Sequence, residues 1–157
     1  MLAAALVLST MVNVSRAAPI LSQELAALDE KSVVEGYRVL AVYVDTEGKA
    51  MGARLRHPNG MTVDLMRCAS VPQVSANFGT LPESDKGEPH TQEHLLLGKG
   101  KAGKYLNSAM SMSLAEQTAA TYTDLTNYQF HTEAGPQVFY RLLGDFLGAL
   151  MAPDYTD

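Results

Sequence analysis

A single cysteine, no tryptophan and no surplus of basic residues are the first absences in this 157-residue sequence. With Cys68 alone, no intramolecular disulfide can close and no multi-thiolate cage can hold a metal. Stability must then come from an ordinary apolar core. Twelve Lys and Arg against 17 Asp and Glu leave a net charge of −5, so no basic surface is offered to a phosphate backbone and nucleic acid is not expected as a partner. No apolar run approaches the ~20 residues of a spanning helix, so no membrane span is expected in the mature chain. Glycine and proline serve as punctuation instead of forming a linker, and no internal repeat or long low-complexity tract is present. What is there, at 46% hydrophobic content, suffices for one domain with a real core.

The chain opens with Leu2-Ala3-Ala4-Ala5-Leu6-Val7-Leu8, followed by Ser15-Arg16-Ala17. A short apolar stretch ahead of small residues at Ser15 and Ala17 reads as a secretory leader over residues 1–17, cleaved after Ala17. The segment before the apolar stretch carries no Lys or Arg, and a mitochondrial presequence is the alternative. Export to the periplasm or the exterior is the expectation, with residues 18–157 as the mature domain.

Within that domain, leucines at 21, 25 and 28 suggest a short helix or arm over 19–31. Tyr37 to Val44 is β-rich. Ala50 to His57 and Met61 to Ala69 flank Pro58-Asn59-Gly60, and Asn-Gly between alternating segments is a strong hairpin signal. Val74 to Leu81 reads as another strand, and Cys68 is placed in a strand as a buried, inert thiol. The stretch from Ala102 to Ser113, with its Gly, Ser and Met, lacks a clear period and is expected to be a loop with at most one helical turn. Lys99, Lys101 and Lys104 then belong to solvated loop surface. Ala119 to Thr123 and Thr126 to Thr132 are rich in Thr, Tyr and Phe and read as strands. Gly135-Pro136 opens a last amphipathic helix carrying Phe139, Leu142, Phe146 and Leu150, stopped by Pro153. The expected fold is α+β: a mostly antiparallel sheet with helices packed on one face.

One stretch carries chemistry. His90-Thr91-Gln92-Glu93-His94 spells H-x-x-E-H, which a shuffled chain of this composition contains in roughly one case in two hundred. Residues four apart lie one above the other on a helix, so His90 and His94 can aim two imidazoles at one ion. Glu93 flanks the same turn and can hold and deprotonate a water. Zinc accepts such donors tetrahedrally and lowers the pKa of a bound water to about 7. Gly87, Glu88 and Pro89 suit a helix start, and Leu95, Leu96 and Leu97 supply an apolar side. His57, beside the hairpin turn, and His131, alternating with Asn127 and Gln129, read as surface residues.

Phe78-Gly79-Thr80-Leu81-Pro82, then Gly87, the motif itself and Leu97-Gly98 together resemble the pitrilysin/insulinase family of zinc metallopeptidases. Glu35-Gly36-Tyr37-Arg38-Val39-Leu40 is similar to the presequence-protease branch, and the resemblance runs over about residues 33–157. It implies His90 and His94 as ligands of one Zn2+, Glu93 as general base, and an extended peptide substrate paired as an added strand along Thr118, Ala119 and Ala120. The family usually has Asn where this chain has Thr118. The resemblance also implies a third ligand, a glutamate on a later helix beyond Asp157, and a second homologous half. Glu116 and Glu133 do not match that ligand's position. The chain is accordingly expected to be the N-terminal part of a zinc endopeptidase, inactive by itself. Two alternatives differ in kind: a non-catalytic peptide-binding or partner subunit of the same fold, and an S-ribosylhomocysteine-lyase-like metalloenzyme. The latter shares the His-Thr-x-Glu-His-Leu segment but places a cysteine ligand after it, whereas Cys68 lies before.

Overall fold

The computed structural model describes the backbone of residues 4–9 and the whole of residues 25–154. The strands are β1 (Ala4–Ser9), β2 (Val33–Val34), β3 (Tyr37–Val44), β4 (Ala50–Arg56), β5 (Thr62–Met66), β6 (Gln73–Gly79), β7 (Ala115–Thr121) and β8 (Leu125–Thr132). The helices that lie wholly within the described residues are α1 (Glu88–Gly98), α2 (Gly100–Ser111) and α3 (Pro136–Met151).

The fold is α+β. One sheet runs β2-β3-β4-β5-β1-β6-β8-β7, and every neighbouring pair is antiparallel except β1 with β5. The β4–β5 hairpin turns at Pro58-Asn59-Gly60 as its sequence predicts. Gly60 adopts φ +96°, the His57 N–H donates to the Met61 carbonyl at 2.9 Å, and Asn59 Oδ1 accepts from the Met61 N–H at 3.0 Å. Strand β1 falls inside the stretch read as a leader and separates β5 from β6.

Alternation decides which face of the sheet is buried. Val74 pairs with Phe130 and Ala76 with Tyr128, and all four are buried beneath the helices. Along α3, Phe139, Leu142, Phe146, Ala149 and Leu150 recur at helical spacing and are buried. Phe130 packs between Phe139 and Phe146, with ring centroids 5.3 Å and 5.0 Å away. Each such side chain contributes about 1.5–3 kcal/mol of apolar burial. The other face of β6–β8–β7 is polar: Gln73, Ser75 and Asn77 lie beside His131, Gln129 and Asn127, and these beside Glu116, Thr118 and Ala120.

Several expectations need correcting. Residues 102–113 are not a loop: Gly100–Ser111 is a twelve-residue helix that buries Gly103, Leu106 and Met110 on one stripe. Tertiary packing of that stripe outweighs the low helix propensity of its Gly, Ser and Asn residues. Lys101 and Lys104 are exposed, as expected, but on a helix. Strand β7 begins at Ala115 and stops at Thr121, earlier at both ends than the predicted 119–123. Cys68 is only half-buried and sits beyond the end of β5. Of the predicted arm over 19–31, Leu25 and Ala26 are helical, while residues 19–24 lie outside the described residues. Among the described residues no helix is long and apolar enough to cross a membrane.

Candidate metal centre beside an open sheet edge

The motif lies on α1, and local chemistry starts that helix where the sequence predicts. Gly87 takes a left-handed conformation, φ +71°, and its carbonyl accepts the first helical hydrogen bond from the Thr91 N–H at 3.0 Å. The Ser84 hydroxyl donates to the Glu88 carboxylate, which that bond and a backbone donor hold below the usual carboxylate range. Pro89 occupies the first turn, where no amide donor is required. The helix ends as the Lys99 N–H reaches the Leu95 carbonyl at 3.0 Å. Of the three leucines, Leu96 is buried and Leu97 packs against the core, whereas Leu95 is exposed.

His90 and His94 project from the solvent side of α1 and converge. Their Nε2 atoms stand 3.0 Å apart, with ring centroids at 4.7 Å. Two nitrogens bound tetrahedrally to one zinc at 2.0–2.1 Å would sit about 3.3 Å apart. The pair therefore fits two corners of such a site with a shift of a few tenths of an ångström. Glu93 turns the other way, toward β7, and is only 7% exposed. It is the one buried charged side chain among the described residues. The Thr121 hydroxyl donates to its Oε2 at 2.8 Å, which supplies the partner a buried carboxylate needs.

Among the described residues strand β7 pairs only with β8, which leaves its second side an open edge, and α1 packs against this same strand. Ala119 packs against the core, the Thr118 side chain is exposed on the polar face, and Ala120 is half-buried there. Any recognition along these three residues would rest on backbone groups of the edge. A polar clamp fixes this arrangement. Asn107 Nδ2 donates to the Leu97 carbonyl at 2.6 Å, and Gln117 of β7 donates to Asn107 Oδ1. The clamp joins the end of α1, the middle of α2 and the edge strand.

Among the described residues no group of three or more His, Cys, Asp or Glu could share a metal ion. Glu116 lies on the polar face of the sheet, away from α1, with His131 paired across from it. Glu133 follows β8 and is exposed. His57 is half-buried against Tyr37, with ring centroids 5.1 Å apart, so it is less of a surface residue than expected. His90 and His94 thus match zinc in donor type and spacing, and two donors are one fewer than the three protein ligands a catalytic zinc site normally has. Sequence reasoning overlooked Thr121, whose 28-residue separation from Glu93 no local pattern reveals.

No protein-family model matches the chain. It is similar to an uncharacterized protein of Saccharomyces cerevisiae, YOL098C, with 38% identity over 91 residues. That match covers 55% of this chain and 9% of the yeast protein, so the chain spans a small part of its relative's length.

Proposed function

We propose that this chain is the N-terminal catalytic portion of a zinc-dependent endopeptidase that cleaves extended peptides. One observation carries the reading: the Nε2 atoms of His90 and His94 converge to 3.0 Å, one turn of helix that also carries the buried, hydrogen-bonded Glu93. A solvated surface helix gives no reason for two imidazoles to converge while the carboxylate next to one of them is buried and held by a donor.

His90 and His94 would hold the ion, with a third donor from residues beyond those described. When bound, zinc supplies Lewis-acid polarisation of the scissile carbonyl and lowers the pKa of water. The chain's own residues do the rest. The open edge of β7 along Thr118, Ala119 and Ala120 can pair with an extended peptide through main-chain hydrogen bonds, placing its backbone beside α1. Glu93, fixed in orientation by Thr121, accepts the proton of the attacking water and passes it to the leaving amine. Main-chain pairing reads backbone, which favours unfolded or extended substrates over folded ones.

The test is zinc content and peptide cleavage in the full-length polypeptide carrying this sequence. Stoichiometric zinc lost on His90→Ala or His94→Ala, with chelator-sensitive cleavage, supports the reading. A zinc-free protein that binds peptides through β7 would be a binding subunit instead.

A further inference from the structure

Glu93 does not meet Thr121 in isolation. The Thr121 hydroxyl also lies 3.4 Å from Thr126 Oγ1, and Thr126 Oγ1 lies 2.8 Å from Thr80 Oγ1. Three hydroxyls, from the ends of β6, β8 and β7, thus form a line that terminates on the carboxylate. Thr126 is 1% exposed, so the middle of this ladder is shielded from water, while Thr80 and Thr121 at its ends are half-buried. The strand register brings it together: Thr121 pairs with Thr126, while Thr80 follows β6 and its N–H donates to the Asp124 carbonyl at 3.1 Å.

We propose that Thr121 is a positioning residue for Glu93 and that Thr126 and Thr80 polarise it. The inference rests on the proposed peptidase reading, because it assigns the ladder a role in orienting that reaction's base. An ionised carboxylate has lone pairs and no proton, so the Thr121 proton goes to Glu93 Oε2. Thr121 Oγ1 is then left as an acceptor toward Thr126, and Thr126 in turn toward Thr80. In this direction every hydroxyl donates toward the carboxylate, and each donation strengthens the next. With Oε2 engaged, the carboxylate cannot rotate freely about its last torsion, and Oε1 is the atom left to receive a proton. A ladder that merely closed the end of the β7–β8 hairpin would need no donor aimed at Glu93.

Isosteric substitution tests this. Thr121→Val keeps the shape and removes the donor, and Thr121→Ser keeps the donor. The first readout is the infrared carboxylate stretch of Glu93, identified as the band absent from Glu93→Gln. It should shift in Thr121→Val and return in Thr121→Ser. Thr126→Val, with Thr121 in place, should give a smaller shift of the same sign. The second readout uses the zinc-loaded full-length polypeptide and an internally quenched extended peptide. Thr121→Val should lower kcat about tenfold with KM and zinc content unchanged, as expected when the base is loosened but not removed. Thr121→Ser should recover to within about twofold. An unchanged carboxylate band in both valine variants overturns the inference. So does wild-type kcat in Thr121→Val when Glu93→Gln is inactive, and that outcome leaves the peptidase reading standing. Full turnover in Glu93→Gln would instead remove the peptidase role of Glu93, and the ladder's catalytic meaning with it.

Discussion

Gly103 of α2 faces the carbonyl of Leu96 in α1 so closely that a Cβ there would lie 2.9 Å from that oxygen. The oxygen is backbone and cannot rotate aside, so α2 would have to move off the helix that carries the motif. Alanine ordinarily gains about 1 kcal/mol over glycine in a helix. Here steric displacement outweighs that gain, and Gly103→Ala should destabilise the fold by about 1–3 kcal/mol. Gly144 of α3 has nothing within 4 Å of the same virtual atom, and Gly144→Ala should stabilise by about 0.5–1 kcal/mol. Denaturant midpoints of the two variants must move in opposite directions.

Arg54 and Asp64 form a two-pronged pair on the sheet, with Nε to Oδ1 and Nη2 to Oδ2 both at 2.7 Å, and Tyr43 donates to Oδ1 at 2.9 Å. The Arg54 hydrogen bonds, working against partial burial, hold the Asp64 carboxyl below its ordinary value. A depressed carboxyl stabilises the fold above its unfolded pKa of about 3.9, and that stability is lost as pH falls through the lower folded value. The Arg54 side chain is 48% exposed, so screening limits the pair to about 0.5–1 kcal/mol. Asp64→Asn should cost that much at pH 7, and the difference from wild type should shrink toward zero in acid.

Strand β1 stands between β5 and β6, which are consecutive in the chain but not neighbours in the sheet. Removing residues 1–17, the stretch read as a leader, would leave two edges unpaired. Backbone amides along Thr62–Met66 and Gln73–Gly79 should then exchange faster with solvent, by at least tenfold where pairing to β1 is lost. Unchanged protection would mean that β1 does not hold the sheet together.

How much of this was legible in the sequence follows the range of the forces involved. Local signals were sound: Pro58-Asn59-Gly60 marked the hairpin, Gly87 to Pro89 the start of α1, and Gly135-Pro136 the start of α3. Helix α2 escaped because its evidence is tertiary. Gly103, Leu106 and Met110 make a helical stripe only when α1 and the sheet are there to receive it. The convergence of His90 and His94 was readable from their spacing of four. The burial of Glu93 was not, since it depends on β7 folding back 28 residues later to bring Thr121 beneath it. The edge position of β7 is likewise a property of sheet order, which no segment of sequence encodes alone.

The most direct test is turnover of an extended peptide by the full-length polypeptide bearing Glu93→Gln, with zinc measured in the same sample. The substitution keeps the shape of the side chain and its acceptor toward Thr121 but cannot take a proton. Zinc bound as in wild type with cleavage reduced at least a hundredfold is the expected result. Cleavage at the wild-type rate, with zinc present, would contradict the account.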